Sequence, residues 1–434
     1  MSEPWDVVVA GAGVGGAAFA LALACEQPGL RVLLLEQHAG AGNLNRGDNL
    51  LPTVTAYLAA WGCLERLRAA GARDLFRMQV WAGGARLMEV PLARPGDAAP
   101  YLVLAHPEIE RALVEAACAG GRVEVRWRSR LSGLLRERQG GVERVIGARV
   151  AGPGGAEQLG ARLVVGADGS RSQVRAGLGI DLRRLVYAHG YYGIAMQRPT
   201  DYEDAMRVEL SPRGGILVVP RLEPDLVGLG VLVHEREEPL FRSGPLEEKL
   251  AAIRARTRLF DGCQAHPEGA HLYRLSRAHA PRYVAPGCAL LGDAIHVTNP
   301  VAGQGMTMAI EDAAALARRV GPALARATSA AEELDAALLA YQAERRPRNA
   351  AILRWSHWLS HAYAHPGRPA HWVRRRLFAL GGTALGRRVH GAIYGRLAAR
   401  TPLALAAAPR ARELTATAPQ AEAPAAVGLE AGSA

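Results

Sequence analysis

Three glycines carry the first chemistry in the chain. Gly11, Gly13 and Gly16 stand as G-x-G-x-x-G in Gly11-Ala12-Gly13-Val14-Gly15-Gly16, and Glu36 follows twenty residues later. The set suits an adenine dinucleotide. Gly11 makes a tight turn, Gly13 lets backbone approach a pyrophosphate, Gly16 lets a helix pack close to a strand, and the Glu36 carboxylate accepts hydrogen bonds from a ribose diol. Free N–H groups at a helix start, those of Val14 and Gly15 among them, favour the phosphates. The elements that must hold these residues are legible around them. Asp6 to Ala10 is an apolar strand, Ala17 to Cys25 has helix-forming composition, and Val32 to Leu35 is a second apolar strand, which together make one βαβ unit. This unit alone fits FAD and NAD equally.

Two later segments extend the pattern. Leu163-Val-Val-Gly166-Ala167-Asp168-Gly169-Ser170-Arg171-Ser172 is an apolar strand running into a turn. Ala289-Leu-Leu-Gly292-Asp293-Ala294-Ile-His296 is followed by Pro300-Val-Ala-Gly303-Gln304-Gly305-Met306 and by Ala309-Ile-Glu311-Asp312-Ala313. In order and spacing the three stretches resemble the para-hydroxybenzoate-hydroxylase-like flavoprotein monooxygenases, the group A aromatic hydroxylases, with some similarity to the quinone-biosynthesis hydroxylases. The likeness spans the first three quarters of the chain.

The resemblance implies FAD as cofactor, with Asp168 in the Asp-Gly motif and Asp293 hydrogen-bonded to the ribityl and pyrophosphate portion. It implies that Pro300, Gly303, Gln304, Gly305 and Met306 lead into a helix whose amides face the N1 and C2 edge of the isoalloxazine, where a helix dipole favours negative charge. Arg46 matches the family arginine near the pyrophosphate, and Arg111, in His106-Pro-Glu-Ile-Glu-Arg111-Ala-Leu113, matches an arginine that contacts FAD from a helix. Gln37 and Thr307 depart from the family's usual Arg and Asn. NADH or NADPH then docks transiently near Asp168 and Arg171, since no second glycine fingerprint follows Gly177. The implied reaction takes O2 and delivers oxygen, through a flavin C4a-hydroperoxide, to a lipophilic aromatic or polyunsaturated small molecule. Hydroxylation and epoxidation both fit, in secondary-metabolite or quinone-type biosynthesis. The flavin carries the chemistry, so no protein acid or base is assigned.

The expected fold is α/β (α+β). A Rossmann-like FAD-binding domain is contributed by residues 1–181 and 283–345, and a β-sheet substrate domain by 182–282. A basic C-terminal helical arm follows over 346–402, then a tail of Ala- and Pro-rich, disordered composition over 403–434. In the middle segment Tyr187 to Met196, Met206 to Leu210, Gly215 to Pro220 and Leu226 to His234 read as strands of an antiparallel sheet. From these, Tyr191, Tyr192, Met196, Ile216, Val218 and His234 are candidate pocket residues, with sheet core as the plainer fate of each.

Composition narrows the class. Of 434 residues, 49% are hydrophobic and 21% charged, which is a globular balance. Five cysteines at wide spacings suggest neither a disulfide framework nor zinc, and fit a reducing cytoplasm. Val7 to Cys25 is long enough to raise a membrane span, but its four glycines argue for strand, turn and helix. The net charge of +11 is concentrated: Arg345 to Arg412 holds fourteen arginines and no Asp or Glu. With no nucleic-acid fold signature, that block reads either as a peripheral membrane contact or as a helical cap over acidic surface. His357, His361 and His365 share a helical stripe with no carboxylate beside them, so no metal site is expected. Two rival enzymes share the flavin fold. A halogenase needs a positioned lysine, and Lys249 is the only one, in an acidic stretch; an isoprenoid reductase saturates double bonds without oxygen. A protein with a catalytically silent flavin is the non-enzymatic alternative. Substrate identity and oligomeric state are not legible.

Overall fold

The computed structural model describes residues 4–41, 47–221, 223–326, 331–386 and 388. Arg46 and the segment from 389 onward, which holds the last part (389–402) of the predicted arm and the 403–434 tail, lie outside the described residues.

Two eight-stranded sheets organise the chain. The first runs Val284–Ala285, Cys288–Leu290, Gly155–Gly166, Trp5–Ala10, Val32–Leu35, Val123–Arg126, with the antiparallel hairpin Arg130–Gln139 and Val142–Gly152 attached to one strand. Cys288–Leu290 through Val123–Arg126 pair in parallel. Parallel strands are covered on both faces and therefore read as unbroken apolar runs, as Val7-Val-Val-Ala10 and Val32-Leu-Leu-Leu35 do. The glycine-turn helix Val14–Glu26 is apolar all round, and its residues Ala17 to Leu23 are buried. It packs between the helices His106–Cys118 and Gly305–Ala325.

The second sheet runs His296–Val297, Ala265–His279, Arg184–Gln197, Leu226–His234, Ile216–Pro220, Met206–Leu210, Arg77–Ala82, Ala85–Pro91. It thus takes strands from before residue 182 and after 282 as well as from between them. Met206–Leu210 joins Arg77–Ala82 in parallel, and every other pair is antiparallel. Side chains alternate across this sheet. Tyr192, Ile194, Met196, Ile216, Val218, Leu229 and Val231 point to one face, where they pack with Phe241, Leu250, Ile253 and Phe260 of the helices and turn that follow. Tyr191, Leu217, Leu232 and Tyr273 point to the other, toward Val301 and toward Leu359, Tyr363 and Ala364.

The two sheets are bridged by the 34-residue helix Ala331–Ala364. Leu334, Leu338 and Tyr341 sit in the first core, and Tyr363 and Ala364 in the second. A last helix, Arg368–Gly381, folds back against the second sheet. Its buried Arg374 donates to the carbonyls of Ala362 and Ser211, and Phe378 stacks on Tyr363 with ring centroids 5.6 Å apart. Among the described residues no helix is long and apolar enough to cross a membrane.

Candidate active site

The glycine turn and the Asp168 turn are pressed together. Gly11 has φ +100°, which side chains rarely adopt, and a Cβ there would overlap the Ala167 carbonyl and lie 3.2 Å from the Asp168 Cα. Gly16 is equally constrained: its Cβ would overlap the Gly11 carbonyl and stand 3.2 Å from the Ala167 Cβ. Backbone bonds lock the pair, with Gly11 N–H donating to Leu35 O at 2.8 Å and Ala167 N–H to Ala10 O at 2.8 Å. Gly13 caps the helix without a side chain, leaving the first helical N–H groups directed outward. Glu36 reaches back to this turn and accepts from Ala12 N–H at 3.1 Å and His38 N–H at 3.0 Å.

The Gly292 turn closes on the same point. A Cβ on Gly15 would stand 2.8 Å from Leu291 Cδ1 and 3.6 Å from Ala309 Cβ, and Leu291 N–H donates to Gly166 O at 3.0 Å. Arg175 ties the turns together, donating to Ala294 O at 2.8 Å and Ser170 O at 3.1 Å. Asp168 spends one carboxylate oxygen on the N–H groups of Gln173 (2.6 Å) and Val174 (3.2 Å). Its other oxygen, Oδ1, is buried with no hydrogen-bond partner among the described residues. Buried polar atoms are rarely left so, and an orphan at a dinucleotide turn marks a place where a ligand donor belongs. Asp293 is exposed on the 3₁₀ turn Gly292–Ala294, whose Gly292 takes φ +60°.

The segment Pro300–Ala302 turns at Gly303, φ +61°, into the helix Gly305–Ala325, with Gln304 at its N-cap and Met306 and Thr307 in the first turn. Asn299 holds this loop from both sides: its Oδ1 accepts from Val301 N–H at 3.2 Å, and its Nδ2 donates to Ser356 O at 3.2 Å. Thr298 Oγ1 donates to Ser356 Oγ at 2.9 Å.

Beneath the loop lies a buried charge clamp. Asp312 Oδ1 accepts from Arg345 Nε at 2.7 Å and Asn349 Nδ2 at 2.9 Å, and its Oδ2 lies 2.6 Å from His296 Nε2. Arg345 Nη2 stands 2.9 Å from Glu311 Oε2, and Arg348 grips both Glu311 oxygens at 2.7 and 2.8 Å. Burial alone would raise the Asp312 carboxyl, but the charges of Arg345 and His296 outweigh it and hold it down to about 2. Arg345 and Arg348, on either side of Pro347, are therefore the clasp that fastens the long helix to the helix behind the Gly292 turn.

With this geometry in view, comparison with known proteins decides the family. The family described as FAD binding domain matches residues 4–356. The chain belongs to it. Over 358 residues it is 30% identical to 6-methylpretetramide 4-monooxygenase of Streptomyces rimosus, covering 80% of this chain and 82% of that one. It is 27% identical over 335 residues to 3-demethoxyubiquinol 3-hydroxylase of Escherichia coli (strain K12), covering 73% and 79%. The solved structure of Pseudomonas aeruginosa PqsL in complex with 2-aminobenzoylacetate superposes with TM-score 0.69 at 28% identity, over 86% of this chain and 98% of that one.

The protein is an FAD-dependent monooxygenase that takes O2, with NAD(P)H as electron donor, and acts on a small molecule. Its turns fit the cofactor: there is no Cβ where backbone must approach, an unpartnered carboxylate oxygen lies beside them, and a helix start follows the Gly303 bend.

Not every predicted contact of this monooxygenase converges on that point. Arg111 turns outward, its side chain 53% exposed, and donates to Glu108 Oε2 at 2.8 Å. The residue this helix presents to the fingerprint is Glu110, whose Oε1 is the atom nearest a Cβ on Gly13, at 3.5 Å, and lies 3.1 Å from His106 Nε2. The two are neighbours in sequence, and one step along the helix, about 100° of rotation, separates the two faces, which a motif match does not distinguish.

The pocket candidates divide by sheet face. Tyr192, Met196, Ile216 and Val218 lie in the closed face. Lys249 stands there too, its Nζ 5.6 Å from the Tyr192 ring centroid and on the opposite side of the sheet from Val301, which leaves it out of reach as a halogenase lysine. His234 ends its strand and accepts from Arg236 N–H at 3.4 Å. By alternation with Leu232, His234 shares a face with Tyr191, and of the six the one that packs in the cluster containing Val301 of the Pro300 loop is Tyr191. Beside it are Tyr273, its register partner, and Gly193, Gly228 and Gly230, none of which was singled out from the sequence. Opposite parity to the apolar residues was the available signal, and glycines inside a strand were the second.

The histidine stripe also divides. His357 Nδ1 lies 3.0 Å from the Tyr187 hydroxyl, and His361 packs against Tyr187 and His189, whereas His365 turns to solvent. Among the described residues no group of His, Cys, Asp and Glu is arranged to hold a metal ion.

Proposed function

We propose that the protein hydroxylates a planar, lipophilic aromatic substrate held on the half-open face of the second sheet, in quinone-type or secondary-metabolite biosynthesis. One observation carries the reading. Side chains on the closed face are buried almost completely, while Tyr191, Gly193, Leu217, Val219, Gly228 and Tyr273 on the other are only half-buried, although Val301 and the long helix stand over them. An interior surface that is apolar, aromatic and unfilled is what a flat ligand requires. Relatives whose names specify a ubiquinol precursor and a pretetramide support the same class.

Bound flavin supplies the activation of dioxygen. The chain's own work is to hold the ring system by the Gly11, Asp168 and Gly292 turns, to present the N–H groups of the Gly305 helix start, and to keep water from the substrate face. To test the reading, hydroxylated aromatics are added to the FAD-loaded protein under anaerobic NADH or NADPH and flavin bleaching is timed. At least one is expected to accelerate reduction at least tenfold and, in 18O2, to yield product carrying one labelled oxygen. Unlabelled, hydrogenated product would instead favour the reductase.

The same lipophilic class supports a peripheral membrane contact by the arm. Trp372, Leu377 and Leu380 are 59%, 62% and 63% exposed on a helix pinned by its opposite face, with Arg375 and Arg376 beside them. An outward apolar stripe flanked by arginine suits an anionic phospholipid surface. Leu377→Glu with Leu380→Glu is expected to abolish co-sedimentation with phosphatidylglycerol vesicles; equal sedimentation of both proteins would remove the contact.

A further inference from the structure

On the half-open face, one glycine is buried although its neighbours are not. Gly230 pairs with Gly193 across the strands, and Gly193 and Gly228 are half-buried. What covers Gly230 is Tyr191: a Cβ on Gly230 would overlap the phenol hydroxyl and Cζ and lie 2.5 Å from Cε2. The Tyr191 ring therefore lies down across the neighbouring strand, in the space that any other residue at 230 would fill. It does not stand up from its own strand, as sheet side chains ordinarily do. Tyr273 is its register partner on the other side. Leu217 and Leu232, partners of Gly230 and Tyr191 on the flanking strands, complete the border.

We infer that Gly230 is a specificity-determining positioning residue: by letting the Tyr191 ring recline, it sets the depth of the slot and makes that ring the stacking surface for a flat, fused aromatic ligand. The inference rests on the substrate-face reading above. A recumbent phenol offers its π-face upward, where an electron-rich ring stacks in offset geometry, and its thickness fixes how much room remains below Val301. Gly230 itself touches no ligand. Adding one methyl at 230 must lift the ring into the slot, because the obstacle is a strand with no freedom to retreat.

The test is ligand binding to the FAD-loaded protein, followed by the change in flavin absorbance, with phenol-, naphthol- and anthrol-type hydroxylated aromatics of one, two and three rings. Gly230→Ala is expected to weaken the two- and three-ring ligands at least about tenfold relative to the one-ring ligand. Adding Tyr191→Ala to Gly230→Ala is expected to cost no further selectivity, because both substitutions act through the same ring, whereas independent effects would multiply. A Gly230→Ala protein with full flavin content and an unchanged order of affinities would overturn the inference, whatever its melting temperature. If Gly230→Ala fails to retain FAD, Tyr191→Ala alone decides: without the stacking face the two- and three-ring ligands should weaken about tenfold relative to the one-ring ligand, and an unshifted preference overturns the inference. If no aromatic perturbs the flavin of the unaltered protein, the substrate-face reading fails, and this inference with it.

Discussion

Glycines in the first sheet and its turns are places where something else presses in: the Ala167 carbonyl on Gly11, the Gly11 carbonyl on Gly16, and Val174 at 2.7 Å and Leu290 at 2.6 Å from a Cβ on Gly166. Both faces of that sheet are covered, and space left by a missing side chain is consumed at once, by backbone at Gly11 and Gly16 and by buried core side chains at Gly166. In the second sheet only one face is closed. There Gly193 and Gly228 meet nothing nearer than 3.8 Å, and Gly230 meets only a side chain. The contrast separates a region whose geometry is fixed by backbone, suited to a cofactor that never changes, from one shaped by movable side chains, suited to a substrate that differs among relatives.

The sharpest way to break this comparison is at the clamp that serves the fixed region. Arg345→Met leaves Asp312 and Glu311 buried with part of their countercharge gone. Removing one partner of a buried pair costs about 3–5 kcal/mol. The expected result is a melting temperature lower by several degrees together with weaker FAD retention, since Gly292 N–H and His296 both meet Asp312 Oδ2, at 3.4 and 2.6 Å. A protein that loses stability yet holds FAD unchanged would separate the clamp from the cofactor turn. Gly11→Val should be more selective, releasing FAD because neither φ +100° nor the Ala167 carbonyl accommodates a branched side chain. Full flavin content in that variant would remove the fingerprint's role.

How much of this was readable before the structure follows the same divide. The βαβ start, the Asp168 turn and the Gly292 turn announce themselves because local backbone requirements write glycine and aspartate at fixed spacings. The strands between 184 and 234 were also legible, from their short apolar runs. Which face of each strand stays half-open was not: Tyr192 and Met196 carry the stronger apolar signal because they are core, whereas the half-open face is spelled by Tyr191, Gly193 and Gly230. The contribution of Arg77–Pro91 to that sheet was hidden as well, since a register shift between Val80 and Trp81 interrupts its alternation. Arg111 and Glu110 point to different sides of one helix although they are adjacent, a difference that spacing in the sequence does not spell. The Asp312–Arg345 clamp joins residues 33 apart and is set by tertiary packing alone.

A paired substitution on two neighbouring strands sharpens the two-face distinction. Met196, fully buried on the closed face, should cost about 2–5 kcal/mol as Met196→Ala, with aromatic binding unchanged in its order of preference. Tyr273→Ala on the half-open face should cost less, because its ring is only half-buried, while weakening aromatic ligands about tenfold. Chemical denaturation and flavin-perturbation titration read the two quantities independently. Equal effects of both substitutions on binding would mean that the sheet responds as one unit.

The smallest expected effect concerns protons, and it too falls where the two regions join. His189, bonded to Ser360 at 2.7 Å, is held down to about 4 by burial first and then by His361 and His234. His279, 2.6 Å from the Tyr283 hydroxyl, is also held near 4, by burial first, then by His296, Arg346 and Arg277 against the opposing charge of Asp312. Both are therefore neutral in the folded protein at pH values where an unfolded histidine, with its pKa of about 6.5, begins to take a proton. The unfolded chain binds more protons through that interval, so stability is fully present above about 6.5 and declines as pH falls toward 4. Asp312, depressed to about 2, retains its contribution across the whole interval and gives it up only as pH falls from about 4 toward 2. Melting temperature should accordingly fall between pH 6.5 and 4.5. His189→Gln, keeping a hydrogen-bonding partner for Ser360 without a titrating ring, should flatten that decline by at most one proton's worth. An unaltered slope would mean that His189 takes up its proton in the folded protein by opening the joint between the long helix and the sheet.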